Sequence, residues 1–119
     1  MALELSLELG MKPVVVAPVE MVWKRLGIKT QGVAADAVTR AHRDLHGGLQ
    51  ILEVAPGGVA ASAGIQKGDI LVGLQTWETL RVDDIVFVLN HKDYASFLPL
   101  KYVIVRNGKL SEGLFAGSP

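Results

Sequence analysis

Three groups of residues in this sequence have types and spacings that chemistry can use. Ser62, with three histidines and several aspartates elsewhere, offers the parts of a nucleophilic triad. A serine nucleophile of that kind needs a glycine-flanked strand-to-helix elbow, and Ser62 stands in AASAG, inside an expected helix. It reads as a small residue chosen for helix packing. His42 and His46 lie four apart on another expected helix and could face one metal ion. The residues between them, Arg43-Asp44-Leu45, are not the acid-first pattern of zinc hydrolases, and no third ligand suggests itself. A solvated helix face is the simpler reading. The glycine-rich PGGVAASAG follows a strand, as a phosphate cradle would, but it has neither G-x-G-x-x-G nor the lysine-threonine ending of a P-loop. No cofactor, metal or catalytic residue is therefore expected.

The elements that must hold these residues fit in one domain. The chain has 119 residues, half of them apolar, enough for a single core. Twelve basic residues balance twelve acidic ones, so no general electrostatic pull toward nucleic acid exists and charged recognition must be local. With no cysteine, disulfides and thiolate chemistry are excluded. The longest apolar runs, Val14 to Val16 and Ile85 to Leu89, fall far short of the roughly 20 residues of a membrane helix. MALELSLELG carries glutamates where a signal peptide would be basic and then apolar, so either the protein is cytosolic or, the preferred reading, this is a piece of a longer chain.

Leu3, Leu5, Leu7 and Leu9 alternate with polar residues as a strand does, either the remnant of an upstream domain or a strand for a homodimer. Residues 1 to 18 are taken as this strand and a linker, and 19 to 119 as the domain. VEMVWKRLG has helical spacing and a terminal Gly27 suited to a left-handed cap. IKTQGV reads as a short strand, and AADAVTRAHRDLHGG as a helix with Val38, Ala41 and Leu45 on one face. LQILEV and DILVGL are strands, GVAASAGI a short helix between them, and VDDIVFVLNH a helix with acids in its first turn. LKYVIVRNGKL is a hairpin around Asn107-Gly108. The order lacks a βαβ rhythm, so an α+β fold is expected, a small mixed sheet or partly open barrel.

LQILEVAPGGVAASAGIQKGDILVGL, residues 49 to 74, resembles the core of a PDZ domain of the bacterial, HtrA-like type. That pattern is a strand, Pro-Gly-Ser-Pro-Ala, then Ala-Gly, an apolar residue, two variable positions, Gly-Asp and an apolar strand. The resemblance implies a PDZ-like barrel or sandwich of five to six strands with two to three short helices. Gly58 and Val59 replace the usual Ser-Pro, which removes a side-chain cap at a cost of ~1 kcal/mol. VGLQTWETLRV replaces the usual Asn-Gly turn, and Trp77 is expected to pack against the domain.

The resemblance also implies a ligand. PDZ domains add a peptide C-terminus as a strand and capture its carboxylate on N–H groups of an apolar-Gly-apolar loop. Here that loop is Leu26-Gly27-Ile28, with Arg25 beside it and Lys29 following. Val82, Val86 and Leu89 share one helix face and would form the groove with Lys29, leaving Ile85 and Val88 or Phe87 to the core. One alternative is that Gly27 is only a helix cap and Leu26 faces the core; another is that a preceding helix closes the groove, which would make the domain a scaffold or oligomerisation module without peptide affinity. The expected partners are C-terminal or unfolded polypeptide segments. The family further implies a serine protease domain in cis and a place in the cell envelope or periplasm.

Overall fold

The computed structural model describes residues 17–119. The strand expected over Leu3–Leu9 lies outside them. Helix α1 spans Pro18–Leu26, with proline at its start, Glu20 in its first turn and Lys24 and Arg25 in its last, as the helix dipole favours. Gly27 closes it at φ +76°, donating its N–H to the carbonyls of Val22 and Trp23. A side chain there would be strained by the backbone.

Strand β1 (Ile28–Ala34) follows directly and pairs antiparallel with β2 (Gly47–Val54), from Ile28 opposite Val54 to Ala34 opposite Gly47. The helix expected between them is absent: only a 3-10 turn over Ala35–Ala37 and further turns occupy the stretch. Ala34 supplies no side-chain cap, and Asp44 gives its N–H to His42 Nδ1 at 3.2 Å. Such local side-chain bonds compete with a helix. The apolar spacing still has a use, because Val38 is buried against Val72 and Val105, with Ala41 and Leu45 packed around them.

Helix α2 (Val59–Ser62), strand β3 (Ile70–Leu74) and the two-residue strand β4 (Trp77–Glu78) come next. Helix α3 (Val82–Leu89) then leads through a 3-10 turn at Tyr94–Phe97 to β5 (Lys101–Arg106) and β6 (Lys109–Leu114). The six strands form one open antiparallel sheet in the order β1-β2-β3-β5-β6, with β4 paired to β3. The two ends of that order, β1 and β6, are edges among the described residues. At the tight turn from β3 to β4, Gln75 takes a φ of +55°, a conformation no glycine or asparagine supplies here. Trp77 is partly buried among Phe87, His91 and Phe97, with ring centroids 5.2–5.4 Å away. The expected packing role is the one it has.

PGGVAASAGIQKGDIL frames this sheet. Gly58 caps α2 without a side-chain bond, and Ala60 is fully buried. Asp69, also buried, accepts the Gln66 N–H at 2.8 Å and two bonds from Arg106 at 2.8 and 2.6 Å. Arg106 in turn donates to Gly64 O at 2.9 Å, and Tyr102 to Ala63 O at 2.8 Å. Those contacts lock the end of α2 onto β5. No helix among the described residues is long and apolar enough to cross a membrane.

Candidate functional site

The site is built where α1, β1 and α3 meet. A cleft of about 190 Å³ is lined by Val19 and Val22 of α1, Ile28, Lys29 and Thr30 of β1, Leu52 of β2 and Val82 of α3. Among the described residues β1 supplies an unpaired backbone edge beside it. Gly27 O accepts the Ala55 N–H at 2.8 Å. Because an antiparallel ladder alternates its bonding direction residue by residue, the Ile28 amide turns to the opposite, open side. Thr30 Oγ1 is buried with no hydrogen-bond partner among the described residues. A site with one free amide, one orphan hydroxyl and apolar walls suits an extended peptide.

The residues singled out from the sequence divide into three groups. Ile28, Lys29 and Val82 do line the cleft. Leu26 and Leu89 do not: they are 0% and 3% exposed and belong to the main core with Ile85 and Val88. The reason for Leu26 is the helix register, which turns it inward one residue before the cap. Leu89 is displaced by the same logic, since the buried stripe of α3 is Ile85, Val88 and Leu89, while Phe87 is left about half exposed. Val86 lines a separate cleft along α3 with Phe87 and His91. Gly27 keeps its place in the loop, but its N–H is already donated within the helix cap, so amide capture rests on Ile28.

Arg25 is partly buried and engaged by the chain itself. Its Nε and Nη2 donate to Pro119 O at 3.1 and 2.7 Å, Tyr94 donates to the same oxygen at 2.9 Å, and the guanidinium lies 5.4 Å from the Tyr94 ring centroid. Lys29 sits between Glu53, at 3.2 Å, and the Trp23 ring, at 5.0 Å. Reading the sequence missed Val19, Val22, Thr30 and Leu52 as cleft walls. Strand alternation could have flagged Thr30 beside Ile28, whereas nothing local links Arg25 to residues 94 and 119.

Among the described residues no cluster of histidine and acid side chains could hold a metal ion. His46 is off any helix and bonded instead to Glu78, Nδ1 to Oε1 at 2.9 Å, with its own N–H on Oε2 at 2.7 Å. That hydrogen bond, helped by the charges of Glu78 and Asp44, raises the His46 pKa above its ordinary 6.5. The pair's stabilisation is therefore complete below pH ~6.5 and lost as pH rises through the raised folded value. In an NMR titration, Glu78→Gln should return the His46 pKa to its ordinary value; a midpoint that stays raised would disprove the pairing.

No protein-family model matches the chain, and no curated protein matches it. Solved structures do. The PDZ domain of HtrA3 bound to a phage-derived ligand, FGRWV, superposes with a TM-score of 0.55 at 21% identity, covering 76% of this chain and 81% of that one. The chain has a PDZ fold. Two structures of the HtrA-type protease AlgW with a decapeptide, one of them a variant, align with TM-scores of 0.54 and 0.53 at 18% identity. They cover 76% and 86% of this chain but only 27% and 34% of those chains, so the PDZ domain described here spans about a third or less of such a protease. The structure matched over most of its own length is a PDZ domain, a non-catalytic module.

Proposed function

We propose that this PDZ domain binds the C-terminal or extended segment of a polypeptide by strand addition to β1. The observation that carries the reading is the edge of β1, open among the described residues, with the Ile28 amide turned toward it and Val82 lining the same cleft. Structural neighbours crystallised with peptides support it. Charge-assisted bonds to a chain-end carboxylate contribute roughly 1.5–3 kcal/mol each before the costs of ordering the peptide. Micromolar affinity, about −8 kcal/mol, is the expected scale. The reading extends to a setting beside an HtrA-like serine protease domain in cis, for which the likeness to HtrA-type proteases is the support, and to a place in the cell envelope or periplasm.

One observation favours a second reading, a docking module with a covered groove. α1 packs on α3, where Asn90 donates to the Met21 sulfur at 4.0 Å, and its Val19 and Val22 narrow the cleft. A titration separates the two. An apolar-ended peptide added as the free acid should shift the resonances of Ile28, Lys29 and Val82, and its amidated form should shift them far less. Equal effects from both forms, or none from either, would reject carboxylate capture by this PDZ domain.

A further inference from the structure

The far edge of the sheet, β6, carries a surface that peptide binding at β1 does not use. Tyr102 packs across Gly113 of β6, so the alternate residues Leu110, Glu112 and Leu114 point to the other face of the sheet. There Leu110 and Leu114 are 41% and 57% exposed, and Leu110 continues an apolar patch formed with Leu45, Val72 and Val103. The backbone is open as well. Phe115 donates its N–H inward to Leu100 O at 2.9 Å, and bonding alternates along an antiparallel strand, so the amides and carbonyls of Leu110, Glu112 and Leu114 turn to the side that no strand among the described residues pairs. Such an edge is a template for another strand. A second β6 does not suit it: pairing about a two-fold axis that sets Leu110 against Leu114 also sets Glu112 against its own counterpart, and like charges directly opposite destabilise a pair.

We propose that the partner of this edge is residues 3–9 of a second copy of the chain, added antiparallel to β6 and exchanged reciprocally in a two-fold dimer. Leu3, Leu5, Leu7 and Leu9 alternate with Glu4, Ser6 and Glu8, the same period of two that β6 presents. Among antiparallel registers one matches by side-chain type. It sets Glu8 opposite Lys109, Leu7 opposite Leu110, Ser6 opposite Ser111 and Leu3 opposite Leu114. Leu5 then lies opposite Glu112, where it replaces the like charge that a second β6 would bring. Sliding the run by two residues puts Ser6 or Gly10 at Lys109 and loses the ion pair. Reciprocal exchange covers both β6 edges and closes the assembly. β1 and its cleft stay free, so the dimer does not depend on the peptide-binding reading.

Sedimentation of the full chain over a range of concentrations reads the dimer, and amide hydrogen exchange reads the edge. Dimer formation should slow exchange at Leu110, Glu112 and Leu114 and leave Ile28 of β1 unchanged. Lys109 is exposed, so reversing its charge leaves the core untouched. Lys109→Glu or Glu8→Lys alone should weaken dimerisation by about tenfold, since each dimer holds the pair twice, and the two changes together should restore it. Glu4→Lys, which falls opposite Gly113, should change it little. A chain that stays monomeric, a dimer in which the three β6 amides exchange freely, or protection of those amides in a monomer would overturn the exchange between copies. Single reversals without effect, no rescue in the double variant, or a response to Glu4→Lys in place of Glu8→Lys would overturn the register.

Discussion

Replacing Arg106 with methionine is expected to destabilise the domain by about 3–5 kcal/mol, because it strands a buried carboxylate. Asp69 is 3% exposed, and two of its three hydrogen bonds come from Arg106. Without them the carboxylate keeps only the Gln66 N–H and must remain charged, or take up a proton, in a site closed to water. Asp69→Asn should cost less, about 1–3 kcal/mol, because the Arg106 side chain is 36% exposed and can turn to solvent. Since small domains are stable by roughly 5–15 kcal/mol, the first change removes a large share of that margin. Denaturant unfolding of both variants checks the order. An Asp69→Asn variant less stable than Arg106→Met would show that the pair does not act through burial of the acid.

That ion pair explains why Gly68-Asp69 is among the most legible features of the sequence. Its fold signal comes from residues whose roles are local: alanines that let α2 lie close, turns that admit only certain backbones, and alternating strands that need one apolar face. For the same reason LQILEV, DILVGL, VDDIVFVLNH and the hairpin at Asn107-Gly108 stand where their patterns put them. The stretch from Ala34 to Gly48 did not, because Val38, Ala41 and Leu45 serve a packed loop as well as they would a helix. Periodicity reports which residues go inward and leaves the backbone path open.

The site was less legible than the fold. Leu26-Gly27-Ile28 satisfies two demands at once, a helix cap and a loop before an edge strand, and only the three-dimensional path divides its groups between them. The cap takes the Gly27 N–H and the Leu26 side chain, and the edge receives the Ile28 amide. On α3 the buried stripe is wide enough to take Leu89 together with Ile85 and Val88, while Val82 and Val86 stay only partly buried. Tyr94 and Pro119 meet Arg25 across separations of 69 and 94 residues in the chain, which no local pattern encodes.

Leu26→Ala should accordingly act on stability and not on recognition, lowering it by about 2–5 kcal/mol as a large-to-small change in a filled core does. Leu26 is 0% exposed within the cluster that includes Val22, Ile28, Ile85 and Leu89, so truncation leaves a void that α1, braced by its cap, closes poorly. Val82→Ala is the complementary change. Val82 is half-buried at the cleft, where losing two methyl groups should cost the fold little, about 1 kcal/mol or less. The peptide would lose its apolar contact across from β1 and bind several-fold more weakly. Measuring unfolding and peptide titration on both variants, at a temperature where each is folded, separates core from groove. If Leu26→Ala weakened binding while leaving the unfolding midpoint in place, Leu26 would belong to the groove after all and α1 would have to move aside when a peptide arrives.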